Sequence, residues 1–266
     1  VQGLIDTHCH LDLPGFDADR AAVLARARAA GVTTIVVPAI RPATFPRVVA
    51  LADATPEVRV ALGVHPQIVP DLSDDERDLG GLAAALAAAR AVAVGECGLD
   101  GGTGAHLEQE RLFRRQIAIA REARLPLLVH VLHAHDAAPR VLAEERAGDV
   151  GGVLHSYSGG PELVARYADL GFAFSFAGPV TYANARRPVA AARVVPAELL
   201  LAETDAPDQA PEPHRGGRSE PAFLAHVIAG LARARGATVD EMAALTTSNA
   251  VRRLRLAAPP PSSAAP

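Results

Sequence analysis

Apolar residues fall in short, nearly unbroken runs separated by longer segments of helical period. The runs are Leu4–His10, Thr34–Ala39, Val58–His65, Ala91–Glu96, Leu127–His130, Gly152–His155, Phe172–Phe176 and Leu199–Asp205. Spacing of roughly 25–30 residues is the repeat of a βα unit. Continuous rather than alternating apolar character suits parallel strands buried on both faces. Between and after the runs the periodicity predicts helices, among them Asp17–Ala30, Leu79–Arg90, Glu108–Ala123, Pro161–Leu170, Glu220–Arg235 and Val239–Leu254. Eight strand–helix units read most simply as an α/β protein of the (β/α)8, or TIM-barrel, class. A doubly wound open sheet is the competitor, but it usually carries a Gly-rich turn after its first strand. Here the first run leads into His8-Cys9-His10 instead. The pattern predicts one domain over residues 1–256. The AAPPPSSAAP tail, 257–266, has nothing to bury and is expected to be disordered.

Composition narrows the chemistry. All 26 basic side chains of the 266-residue chain are arginine; lysine and tryptophan are absent. Schiff-base and pyridoxal chemistry, which need a lysine amine, are excluded, as are P-loop and kinase phosphate sites. A net charge of −4 argues against a protein that coats duplex DNA, though not against one that acts on a nucleic-acid end. The two cysteines, Cys9 and Cys97, imply no disulfide framework and fit a reducing cytoplasm. No apolar run reaches membrane-spanning length and no basic-then-apolar leader opens the chain, so a cytoplasmic protein without a membrane partner is expected.

The polar residues then take on meaning through their positions. Predicted strand one ends in His8 and His10, strand three in His65, strand four in Glu96, strands five and six in His130 and His155, and strand eight in Asp205. In a barrel these C-terminal ends open onto one face. Alternation along a strand turns His8 and His10 to the same side and Cys9 away. A His/Glu/Asp set without thiolate suits divalent Zn, Mn, Co, Ni or Mg.

The segments DTHCHLD (6–12), GVHP (63–66), GECGLD (95–100), PLLVH (126–130), HSYSG (155–159), ETDAP (203–207), PHRG (213–216) and TTSNAVRRL (246–254) resemble the TatD family of metal-dependent hydrolases, within the amidohydrolase-like barrels. The resemblance spans about Leu4 to Leu254. It implies a two-metal centre in which His8, His10 and Asp205 hold one ion, His130 and His155 hold the other, and Glu96 bridges them. Two ions roughly 3.5–4 Å apart activate a water and stabilise a departing oxygen, with Asp205 as the base. It also implies that His65 contacts a substrate phosphate or carbonyl. Glu203 is expected to orient His65 or a water, or else to sit as a buried structural carboxylate. Arg215 is expected to meet an anionic substrate or to brace a loop through Glu220, and Tyr157 to offer stacking, a hydroxyl or rim packing.

Two segments depart from the family pattern. The family commonly follows the fifth-strand histidine with Ser-Arg, whereas Leu132 stands at the arginine position here. It usually continues GLD with aromatic residues, whereas Gly101-Gly102-Thr103-Gly104 follows here. His133 and His135 are candidate replacements for the lost phosphate contact, with incidental loop histidines as the alternative. The expected reaction is hydrolysis of a phosphodiester, at a DNA or RNA end or in a small substrate, as in a deoxyribonuclease. One rival keeps the metals and cleaves an amide, ester or lactone, and in a chain without lysine only a Glu96-bridged variant is available to it. A second rival is a non-catalytic metal-binding barrel. The oligomeric state is left open, a monomer being compatible with all three.

Overall fold

A computed structural model describes residues 3–257, so the tail beyond Ala257, and with it the expected disorder there, lies outside the described residues. Eight strands lie side by side in chain order: β1 (Leu4–Asp6), β2 (Val32–Pro38), β3 (Val58–Leu62), β4 (Ala93–Asp100), β5 (Leu127–Leu132), β6 (Gly152–Leu154), β7 (Phe172–Phe176) and β8 (Leu200–Ala202). Every neighbouring pair is parallel. The step from β8 back to β1 is made just beyond the strands. Thr7 N donates to Ala202 O (3.3 Å), Asp205 N to His8 O (2.9 Å) and His10 N to Ala206 O (2.8 Å). The sheet thus forms the nearly closed barrel that the repeat predicts.

Around it lie α1 (Arg20–Ala29), α2 (Phe45–Ala54), α3 (Asp74–Arg77), α4 (Leu82–Ala88), α5 (His106–Ala123), α6 (Ala137–Glu144), α7 (Val164–Asp169), α8 (Arg186–Val194), α9 (Leu224–Arg235) and α10 (Val239–Leu254). One hydrophobic cluster runs from Leu4 to Leu256 and joins the helices to the outer faces of the strands. Each fully buried Val, Leu or Ile in it contributes roughly 1.5–3 kcal/mol of transfer free energy. No helix is long and apolar enough to cross a membrane among the described residues.

Strand β1 is shorter than the apolar run that predicts it. The Asp6 carboxylate accepts from His8 N (3.3 Å), Thr204 N (2.9 Å) and Thr204 Oγ1 (2.5 Å), so side-chain bonds replace ladder bonds at the point where the chain turns toward the mouth. Burial lifts the Asp6 carboxyl to about 8 despite these donors. Strand β4 needs a glycine at 98: its φ is +141°, and a Cβ there would come within 2.0 Å of His130 O. That close approach sets the two longest-paired strands, carrying Glu96 and His130, against each other.

Candidate metal centre

Seven polar side chains converge at the C-terminal mouth of the barrel. His8 and His10 follow β1, His65 follows β3, Glu96 and His130 lie in β4 and β5, His155 follows β6, and Asp205 follows β8. Glu96 is fully buried at their centre, and its two oxygens face different partners. Oε2 lies 3.0 Å from His8 Nε2 and 3.3 Å from His10 Nε2. Asp205 Oδ1 completes this group at 3.8 and 3.9 Å from the same nitrogens. Oε1 lies 2.8 Å from His155 Nε2, 3.0 Å from His130 Nδ1 and 2.8 Å from His65 Nε2.

The donor set fits divalent cations. His8 Nε2 and His10 Nε2 face each other at 3.2 Å, and His130 Nδ1 and His155 Nε2 at 3.0 Å. Such pairs of lone-pair atoms, each also aimed at a carboxylate oxygen, are satisfied by a cation better than by protons. Glu96 Oε2 is buried with no hydrogen-bond partner. Three groups have the reach to hold an ion: His8–His10–Glu96, His8–His155–Asp205 and His65–Glu96–His130. His65 therefore sits inside the third of these groups, nearer to a ligand position than the substrate contact expected of it.

The charges are mutually dependent. Burial, reinforced by His155, lowers His8 to about 4, leaving a neutral ring with a free lone pair. Burial opposes protonation of His10 too, but Glu96 overrides it and raises His10 to about 9. Against burial, His155, His65 and His8 hold Glu96 well below the carboxylate range. Burial lifts Asp205 to about 7, with Glu203 and Glu96 adding like charge. Its φ of +51° is a left-handed conformation, sustained by the seam bond to His8 O.

The supporting side chains are less visible in the sequence. His130 Nε2 lies 3.4 Å from Asp100 Oδ2, which also accepts from Gln67 Nε2 at 2.7 Å. His155 Nδ1 lies 3.4 Å from Glu203 Oε1, which accepts from Ser156 N at 2.5 Å. Glu203 is wholly buried, so it is neither at the substrate face nor beside His65; its partner is His155. Beneath it, Thr7 Oγ1 lies 2.8 Å from Ser175 Oγ, giving the barrel floor a polar layer. Asp100, Gln67, Ser156 and Gln209 were given no role by sequence reasoning, although the GLD and HSYSG motifs contain Asp100 and Ser156.

Above the seven residues opens a cleft of about 540 Å³, with apolar walls that include Leu13, Ile40, Ile68, Leu132, Phe176 and Val180. Tyr157 is in its wall, but its hydroxyl donates to Gly160 O (3.0 Å), so it offers a ring edge only. Arg215 does not line it. Its guanidinium lies 4.1 Å from the Tyr182 ring centroid and 3.8 Å from Glu212, while Glu220 is taken by Arg26 at 2.6 Å. His135 is held between Tyr167 Oη (3.1 Å) and Ser158 Oγ (3.3 Å) as a brace, and His133 is exposed. Only Gly101 of the run has a steric cause: a Cβ there would come within 2.3 Å of His133 O, whereas one on Gly104 would meet nothing within 4 Å.

Comparison with known proteins agrees over nearly the whole chain. A family model described as TatD related DNase matches residues 5–255. The uncharacterized metal-dependent hydrolase YabD of Bacillus subtilis is 36% identical over 259 residues, covering 95% of this chain and 99% of that protein. The 3'-5' ssDNA/RNA exonuclease TatD of Pantoea ananatis is 32% identical over 259 residues, covering 93% and 97%. Among solved structures, the TatD homologue YjjV of Escherichia coli K12 superposes with a TM-score of 0.89 at 35% identity, covering 96% of this chain and 98% of that one.

Proposed function

Since the chain belongs to the TatD-related family of metal-dependent hydrolases, we propose that it hydrolyses a phosphodiester at a DNA or RNA end, with two divalent cations held in the mouth of the barrel. The observation that carries the reading is Glu96, whose two oxygens each meet a separate set of imidazoles. His8, His10 and Asp205 would hold one cation and His130 and His155 the other. When bound, such a pair polarises the phosphoryl oxygen and lowers the pKa of water. Asp205 faces the cleft beside the His8–His10 pair, placed to take a proton from the attacking water. His65 borders the same cleft with its Nε2 turned to Glu96 Oε1, where it adds a donor beside His130. The Pantoea relative, named as an exonuclease, supports the choice of bond.

One observation favours a second reading. No arginine lines the cleft among the described residues, and Leu132 occupies its wall. Such a surface also accepts a neutral ester, amide or lactone. The experiment is to purify the protein without chelators, measure its metal content, and assay end-labelled single-stranded DNA and RNA with Mg, Mn, Co and Zn. A panel of neutral aryl esters and lactones runs alongside. Shortened oligonucleotides, and a loss on the order of 10²–10⁴-fold in Asp205→Asn, are expected. Inactivity on every oligonucleotide with all four metals overturns the phosphodiester reading, and turnover of the neutral panel alone installs the second.

A further inference from the structure

Three hydrogen bonds and one longer charge contact join the two halves of the centre through residues that none of the ligand roles above uses. Gln209 Nε2 donates to Asp205 Oδ2. Ser156 Oγ donates to Gln209 Oε1 at 2.8 Å, and Ser156 N donates to Glu203 Oε1 at 2.5 Å. Glu203 Oε1 faces His155 Nδ1 at 3.4 Å. Asp205 of one half is thereby tied to His155 of the other. An ionised Asp205 carboxylate can only accept, so the amide NH2 faces it and the amide oxygen is left to accept from the serine hydroxyl.

The backbone is built to hold this arrangement. Ser156 (φ +41°), Asp205 (+51°) and Gln209 (+52°) all take left-handed conformations, which cost free energy in non-glycine residues and persist where the surroundings impose them. Asp208 N donates to Asp205 O (2.9 Å), and Tyr182 Oη donates to Ala210 O (2.8 Å), so the loop is tied down on both sides of Gln209. Gly178 packs so closely that a Cβ would overlap Gln209 O. Both side chains border the cleft without being ligands themselves.

We propose that Gln209, oriented by Ser156, is a positioning residue: it engages Asp205 Oδ2 and so presents Oδ1 to the His8–His10 half of the centre. The proposal rests on the reading of the cluster as a cation centre, and not on which bond is cleaved. Losing the amide frees the carboxylate to rotate, which weakens the cation held there and misplaces the proton acceptor. Partners of this kind are typically worth about 10–100-fold in metal affinity or activity.

The test uses the full chain and three variants: Gln209→Leu, Ser156→Ala and the double substitution. Zn and Mn affinities are measured by competition with a chromogenic chelator, thermal midpoints in chelator, and kcat and KM on bis-p-nitrophenyl phosphate. Gln209→Leu is expected to weaken one of two cation-binding steps by about 10–100-fold and to lower kcat more than KM. Its midpoint in chelator should stay within a few degrees of wild type. Ser156→Ala should produce a smaller change of the same kind, and the double variant should be no worse than Gln209→Leu alone, because the two act in series. Wild-type affinity in Gln209→Leu, or losses that multiply in the double variant, overturns the proposal. If Gln209→Leu misfolds, Ser156→Ala decides: unchanged cation affinity there counts against the series. Two cations bound without phosphodiester turnover, with Gln209→Leu still weakened, sustains the positioning role and overturns only the reaction. A wild-type protein that takes up no cation overturns both.

Discussion

Asp100 stands to His130 as Glu203 stands to His155: each carboxylate lies 3.4 Å from the ring nitrogen turned away from the centre, where its charge favours a proton on that nitrogen and a lone pair on the other. His130 in turn holds the Asp100 carboxyl below the usual carboxylate range. Asp100→Asn keeps the shape but removes the charge and leaves one acceptor oxygen for the two bonds from Gln67 and Gly102. It should cost about 10–100-fold in cation affinity or turnover, with little change in melting temperature, as equilibrium dialysis and steady-state kinetics on the same preparation can check. These residues also mark the limit of legibility at this scale. His8, His10, His65, Glu96, His130, His155 and Asp205 could be read because each stands at the end of an apolar run. Gln67 stands in a short 3-10 turn and Ser156 and Gln209 in loops, where no periodicity says which way an amide or hydroxyl points. Arg215 and Tyr157 each keep two readings in the sequence for the same reason, since their partners Tyr182 and Gly160 are settled by loop geometry.

At the level of elements, the strands were legible because burial on both faces leaves an unbroken apolar run. Their ends were less so: the runs at β1, β3 and β8 continue past the ladder, where side chains such as Asp6 take over the backbone bonds. Short helices that begin near a proline, α2, α6 and α8, have too few turns for their period to stand out. Helix α3 is shorter still, but it anchors the loop after β3 that carries Gln67 and Ile68 to the cleft. Its capping box, Ser73 with Glu76, coincides with a two-pronged pair between Glu76 and Arg41 at 2.7 and 2.5 Å. Arg41 lowers the Glu76 carboxyl from 4.5 to about 2. A depressed acid contributes stability that is complete above its unfolded value and is lost as pH falls through its folded one. The thermal-midpoint difference between wild type and Glu76→Gln should therefore be constant from pH 5 to 8. It should shrink toward zero as the pH drops from about 4.5 to 2. In β4, Gly98→Ala forces the strand away from His130 and should cost at least about 1–3 kcal/mol in denaturant unfolding, the range for overpacking.

For the whole molecule, charge placement matters more than the net value of −4. Around the mouth Arg41 pairs with Glu76, Arg20 and Arg47 with Asp17, Arg218 with Asp19 and Arg215 with Glu212. Only Arg186 and Arg187, at the start of α8, form no ion pair there among the described residues. A polyanion would thus be gripped at one or two phosphates. Under the proposed function, log kcat/KM on a single-stranded oligonucleotide should fall with log salt at a slope of about −0.7 to −1.4. Leu132→Arg should steepen it by about 0.7. A slope as steep in wild type as in a basic nucleic-acid-binding protein would contradict this picture. The seam between the first and last strands carries a different consequence. His8, His10 and Asp205 flank the very bonds that join β8 to β1, in segments 198 residues apart at Asp6 and Thr204. A cation held by the three would act as a clasp on the barrel, coupling its uptake to folding by about 2.7 kcal/mol at a hundredfold excess over Kd. Stripping it should open the molecule along one line: the amides of His10 and Asp205 should lose hydrogen-exchange protection in chelator well before those of β5, on the far side of the barrel.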